Sequence, residues 1–302
     1  MTKTNPFISI EGATATGKSN LAFFIAKELN SQIISADSRQ IYKHLDIGTA
    51  KATPLQMSQI KHHMINIINP NELFSAGQFA KKANQIIQKL SFPIVAGGTG
   101  FYVKALLNGL SYIPRIPKSF RKEIKSIKNP YQMLIKKDPT SQNRIHPNDK
   151  QRAVRALEVL LFTGKPIEFF WEKTKKENTP CVFKIYLFLD REELYKRINN
   201  RLETMVNMGL LEEISSILDL GYSWSDSGLK TIGYKEFKDY FEKTISLEMA
   251  KENAKREVRR FCKRQLTWYK KNEFDLTLSS QNINLPLVMN SIYKFIKNAK
   301  KL

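Results

Sequence analysis

The chain has 302 residues, 42% hydrophobic and 25% charged, and its 49 lysines and arginines against 28 aspartates and glutamates give a formal net charge of +21. No apolar run is long enough to span a bilayer, and Cys181 and Cys262 are too few and too far apart for a disulfide framework or a metal site. The remaining class is an ordinary globular protein whose positive excess favours a polyanionic partner such as nucleic acid.

Met1 to Pro6 leads straight into an apolar run, Phe7-Ile8-Ser9-Ile10, so no signal peptide and a reducing, cytoplasmic setting are expected. Next comes Gly12-Ala13-Thr14-Ala15-Thr16-Gly17-Lys18-Ser19, which fits G-x-x-x-x-G-K-S/T, and then Leu21, Phe24, Ile25 and Leu29 at helical spacing. Strand, phosphate loop and helix follow from this order. The loop amides and the helix N-terminus form a cradle for a chain of phosphates. Lys18 adds a mobile positive charge and the Ser19 hydroxyl can ligate Mg²⁺. Gln32-Ile33-Ile34-Ser35 reads as a second strand ending at Asp37, and His63-Met64-Ile65-Asn66-Ile67 as a third. Ser75 is expected to cap a helix through Phe79, Ala83, Ile86, Ile87 and Leu90. Pro93-Ile94-Val95-Ala96 is a buried strand closed by Gly97-Gly98-Thr99-Gly100, before a helix carrying Tyr102, Leu106 and Leu107. This alternation predicts an α/β fold, a parallel sheet wrapped by helices, with ligands beyond the C-terminal strand ends.

From Pro114 the texture changes to short basic helical segments punctuated by proline, which predicts a helical insertion over residues 114–180. The apolar run at residues 182–189 resumes the sheet, so residues 1–113 and 181–302 form the core. A long helix is expected from Ser246 to Lys271. Basic residues cluster twice: nine against two acidic ones between Lys251 and Lys271, and ten against three between Arg115 and Lys150. Each cluster could neutralise several phosphates.

Some residues have two readings. Asp37, at a strand's end near the phosphate loop, suits a general base, a metal ligand or a helix N-cap. Arg201 is either a clamp on a pyrophosphate or part of a solvated face with Glu193 and Arg197. Asp190 reads as a second metal-site carboxylate or as a cap. Trp268 and Tyr269 could stack on bases, although burial of at least one is expected. His62 and His63 are adjacent, point apart, and lack a third ligand.

Five segments together resemble the tRNA dimethylallyltransferase (tRNA isopentenyltransferase) family over almost the whole length. They are the phosphate loop; Asp37-Ser38-Arg39-Gln40-Ile41-Tyr42 with Asp46-Ile47-Gly48-Thr49-Ala50-Lys51; Gly97-Gly98-Thr99-Gly100-Phe101-Tyr102; Gln151-Arg152-Ala153-Val154-Arg155-Ala156-Leu157-Glu158; and Arg264-Gln265-Leu266-Thr267-Trp268-Tyr269. The resemblance implies a P-loop NTPase-like fold with a helical domain gripping the anticodon stem. It implies transfer of a dimethylallyl group from dimethylallyl diphosphate to N6 of the adenine 3′ to the anticodon, in tRNAs reading codons that begin with U. The phosphate loop, residues 12–19, then binds the donor's diphosphate with Mg²⁺ on Ser19. Asp37 is the base, Thr14 bonds the bridging oxygen and Arg201 steadies the leaving group. Asp37, Ser38, Arg39, Gln40, Thr99, Arg121, Gln151, Arg152, Ala153, Val154 and Arg155 face the tRNA, and residues 230–235 align more loosely with another contact segment. Ala13, Ser19 and Phe101 stand where the family usually has Pro, Thr and Leu; none of these changes removes a reacting group. A monomer is expected. The rivals are a small-molecule kinase, an adenylate isopentenyltransferase acting on free nucleotide, and an RNA-binding module with a vestigial phosphate loop.

Overall fold

The structure, a computed structural model, describes residues 5–172 and 180–301. β1 (Phe7–Gly12) is followed by α1 (Lys18–Glu28), β2 (Ile33–Ser35), α2 (Pro54–Gln59), β3 (His62–His63), α3 (Ala76–Ile87), β4 (Ile94–Gly97) and α4 (Gly100–Asn108). Then come α5 (Lys118–Ser126), α6 (Pro130–Lys137), α7 (Lys150–Thr163) and α8 (Ile167–Glu172). β5 (Val182–Phe188), α9 (Arg191–Asn207), α10 (Leu210–Asp219), α11 (Lys238–Phe241), α12 (Leu247–Tyr269), β6 (Leu276–Ser279) and α13 (Leu285–Ala299) complete the chain.

The six strands form one sheet in the order β3-β2-β4-β1-β5-β6, and every pairing is parallel. A parallel sheet is covered on both faces, which is why its strands read as apolar runs. Ile8 and Ile10 of β1 pack with Leu21 and Ile25 of α1 and with Val288 and Ile292 of α13. Phe7 faces the other way, among Phe79 and Ile87 of α3 and Tyr102 and Leu106 of α4. Ser75 and Gln78 make a reciprocal capping box at the start of α3, which satisfies two end amides.

The strand expected at residues 63–67 shrinks to the two residues of β3. Met64 and Asn66 take φ of 64° and 55°, a left-handed conformation that breaks an extended chain. Ile68 makes a single parallel bridge to Tyr42, outside the strands of the sheet.

The chain divides into two compact units, Met1–Asn108 with Asn178–Leu302, and Gly109–Glu177. In the first, a further helical layer packs Leu202, Leu210, Ile214, Leu229, Tyr234 and Ala254 together. The second is built from α5 to α8 around Ile116, Ile124, Leu134, Ile145, Leu157 and Val159. Its described residues hold no strand.

Candidate active site

The phosphate loop leaves β1 at Gly12, where an added Cβ would stand 2.4 Å from the Leu187 carbonyl oxygen on β5. Only glycine fits that approach. Gly17 needs its glycine for conformation instead, with φ of 84°. Ala15 also has a positive φ, 63°, where a Cβ is unfavourable. Two donors fold onto one carbonyl: the Thr16 hydroxyl and the Lys18 ammonium both reach the Ala13 oxygen, at 2.8 and 2.5 Å. Beneath the loop, Ala13 packs on Leu189, Leu194, Ile198 and Cys262. The Thr14 N–H donates to Gln265 Oε1 at 2.9 Å.

Asp37 follows β2, but no helix begins there, so the N-cap alternative does not hold. Its Oδ1 accepts the Arg39 N–H at 2.8 Å, a local side-chain turn that Asp adopts readily. The neighbouring Ser38 N–H donates to Thr99 Oγ1 at 3.0 Å, tying this turn to the one after β4. Gln40 braces the segment: Nε2 donates to the Thr49 and Ala50 carbonyls, and Oε1 accepts the Ser35 hydroxyl.

These loops open on a cavity of about 430 Å³, an ordinary size for a small-ligand site. Thr14, Lys18, Ser19, Asp37, Arg39, Gln40, Arg197, Arg201 and Gln265 line it, with apolar walls from Ile198, Leu202, Met205, Val258 and Phe261. Asp37 is the one carboxylate among these lining residues, set against Lys18, Arg39, Arg197 and Arg201. Burial pushes the Lys18 ammonium down to about 8; Asp37 opposes that fall and Arg201 adds to it. Burial also lowers Arg201 and Arg39, and Asp37 opposes the shift in each. A dianionic or more highly charged ligand would relieve this crowding of cations. The Arg39 guanidinium lies 4.0 Å over the Phe261 ring and donates to the Ile232 carbonyl.

The two arginines of α9 separate. Arg197 pairs with Glu193 at 3.2 Å, whereas Arg201 has no ion pair among the described residues and faces the cavity. Asp190 is exposed at the start of α9 and is not among the cavity-lining residues. His62 bonds the Ile60 carbonyl and His63 bonds Gln32, and no metal-binding cluster occurs among the described residues. Neither cysteine is in a disulfide among the described residues.

Thr99 stands at the N-terminal end of α4, and Phe101 is exposed. Residues 151–155 and Arg121 belong to the second unit. There Arg121 and Arg155 both bond Oε2 of the buried Glu158, at 3.2 and 3.1 Å, while Gln151 and Arg152 are exposed. Ala153 is 0% exposed, packed in that unit's core. The basic run of α12 is also partly spoken for: Lys251 and Lys255 share Glu203, and Arg260 pairs with Glu257. Tyr269 is buried, and Trp268 packs against Gly100, where a Cβ would stand 2.1 Å from the indole nitrogen.

Gln265 and Phe261 had no role in the sequence reading. Gln265 was visible only as part of a motif. Its signal was a polar amide on the buried stripe of α12, in line with Ala250, Ala254, Cys262 and Tyr269.

The family model described as IPP transferase matches residues 40–272. A tRNA dimethylallyltransferase of Thermoanaerobacter sp. is 41% identical over 285 residues, covering 88% of this chain and 89% of that protein. One of Thermotoga neapolitana is 38% identical, covering 90% and 93%. Among solved structures, a tRNA delta(2)-isopentenylpyrophosphate transferase of Staphylococcus epidermidis superposes with a TM-score of 0.70 at 35% identity, over 97% of this chain and 99% of that one. A eukaryotic dimethylallyltransferase acting on tRNA superposes with a TM-score of 0.79 at 27% identity, over 92% and 74%.

Proposed function

This chain belongs to the IPP transferase family, and we propose that it transfers a dimethylallyl group from dimethylallyl diphosphate to N6 of the adenine 3′ to the anticodon, in tRNAs reading codons that begin with U. The product is N6-dimethylallyladenosine. The charge layout of the cavity carries this reading: one carboxylate, Asp37, among four cations. Such a site suits a reaction in which a single proton leaves while a diphosphate gathers negative charge.

Adenine's amino nitrogen is a weak nucleophile because its lone pair is delocalised into the ring. Asp37 takes the amino proton as nitrogen bonds the allylic carbon. Its Oδ2 has no hydrogen bond among the described residues, while Oδ1 is held by Arg39. The carbon–oxygen bond breaks, and its electron pair leaves with the diphosphate. Lys18, Arg201 and the loop amides hold that charge, and donors already aimed at it lower the barrier. Thr14 Oγ1, which has no hydrogen bond among the described residues, bonds the bridging oxygen. The apolar walls of the cavity accommodate the five-carbon chain. The exposed Ser19 would hold a Mg²⁺ ion through its hydroxyl, and the ion would neutralise charge on the diphosphate. The adenine reaches the site by leaving the anticodon stack, and the enzyme acts as a cytoplasmic monomer.

Mass spectrometry of tRNA nucleosides after incubation with dimethylallyl diphosphate tests this. A dimethylallyl adduct on one adenosine is expected. Prenylation of free AMP without tRNA, or phosphoryl transfer from ATP, would overturn the reading.

A further inference from the structure

We propose that Gln265 is a positioning residue, whose side-chain amide locks the donor-binding loop to the turn at residues 97–100, against which the segment carrying the base is held. The proposal rests on the reading above. The β1–β4 ladder has its last register pair at Glu11 and Gly97. Beyond it the two chains splay into the phosphate loop and the turn at residues 97–100. There the Gln265 amide takes the place of the next rung: Oε1 accepts the Thr14 N–H at 2.9 Å, and Nε2 donates to the Gly98 carbonyl at 2.8 Å.

The chemistry at this place fits few residues. Thr14 offers a donor and Gly98 an acceptor, so the bridge must accept at one end and donate at the other. A primary amide does both; an ionised carboxylate cannot donate, and a thioether does neither usefully. Gln265 is 7% exposed, so each broken bond leaves a poorly hydrated polar group. The turn is cut to receive it, since a Cβ on Gly98 would stand 2.5 Å from Nε2.

The link continues to both reacting sides. Thr14 carries the hydroxyl assigned to the bridging oxygen. Past Gly98, the Thr99 amide donates to the Ala36 carbonyl, and Thr99 Oγ1 accepts the N–H of Ser38, next to Asp37. Gln265 therefore sets the distance between leaving group and base through its bonds to Thr14 and Gly98.

Gln265→Met keeps the volume and removes both bonds. Its single-turnover transfer rate should fall about a hundredfold, the scale on which small misplacements act. Its affinities for dimethylallyl diphosphate and for tRNA should stay at the wild-type values. Gln265→Glu adds a readout that a merely structural role would not move. Ionised, Glu keeps the Thr14 bond and loses the Gly98 bond; protonated, it makes both. Its rate divided by the wild-type rate at the same pH should therefore rise as pH falls, because dividing cancels whatever pH dependence the two enzymes share. Wild-type turnover in Gln265→Met overturns the proposal, as does a pH-independent ratio in Gln265→Glu, which stands alone if the Met variant does not fold. A wild-type enzyme unable to prenylate tRNA removes the functional reading and this proposal with it; an active wild type with unaffected variants removes this proposal alone.

Discussion

At Asp37 the local geometry assigns the two carboxylate oxygens to different tasks. Oδ1 is fixed by the Arg39 amide, which leaves the other oxygen to meet a substrate proton. Asp37→Ala is therefore expected to lose about two to four orders of magnitude in turnover while tRNA still binds, the usual worth of a general base. Single-turnover kinetics with a separate filter-binding measurement checks it, and near-normal turnover would take the base role away. Lys18 carries a pH dependence. Its ammonium titrates near 8 in the folded protein against 10.5 for a free lysine. The unfolded chain thus binds more protons between those values, so this group's cost to folding is present below about 8 and is relieved as pH rises toward 10.5. Donor binding runs the other way, because the diphosphate needs the charged form. Calorimetric affinity for dimethylallyl diphosphate should weaken as pH passes about 8, by at most about tenfold per pH unit for a single proton. Lys18→Arg, which does not titrate in this range, should give a flatter profile.

At the scale of elements, the site is assembled by helices that reach across the sequence. Glu213 of α10 accepts the amides of Asp46, Ile47 and Gly48 at 2.9, 2.7 and 3.3 Å and the Tyr234 hydroxyl at 2.6 Å. That carboxylate organises the turn whose Thr49 and Ala50 carbonyls hold Gln40. Gly48 is required there, because a Cβ would meet the Tyr234 ring at 2.6 Å. Glu213→Ala should cost about 2 kcal/mol, the scale for stranding donors that served a charged acceptor. Urea denaturation reads this directly, and a midpoint equal to wild type would show the turn to be self-supporting. These links explain which features were legible. The phosphate loop, the Ser75 cap and strands β1, β2, β4 and β5 show themselves because their determinants lie within a few residues, whereas β6 falls in a stretch whose sequence suggested only helices. The turn at Asp37 was hidden: its partner Thr99 is distant in sequence, and a local Asp-Ser pair suits a helix start equally well. The third strand failed for another reason, since Met64 and Asn66 take left-handed conformations that apolar alternation does not encode. The basic helix was legible as an element, but the side chains that neutralise part of it were not.

Over the whole molecule, a net charge of +21 says that a polyanion is attracted but not where it is held. The ion pairs divide the cations. Lys251 and Lys255 are both committed to Glu203 of α9, with Glu248 and Glu252 adding a second carboxylate to each. Lys263, Lys270 and Lys271, further along the same chain segment, are exposed and have no carboxylate partner among the described residues. A paired lysine must give up its carboxylate before it can serve a phosphate, so it releases little counterion on binding. An unpaired one contributes about 0.9 to the slope of log affinity against log salt for each phosphate it neutralises in a duplex. Replacing Lys251 and Lys255 together by Ala should therefore leave the salt slope of tRNA binding nearly unchanged. Replacing Lys263 and Lys270 should lower the slope by about one for each lysine that meets a phosphate. Titrating tRNA affinity across a range of potassium chloride separates the cases. A larger loss of slope in the Lys251 and Lys255 variant would mean that those ion pairs open on RNA, and that Glu203 releases both lysines when tRNA arrives.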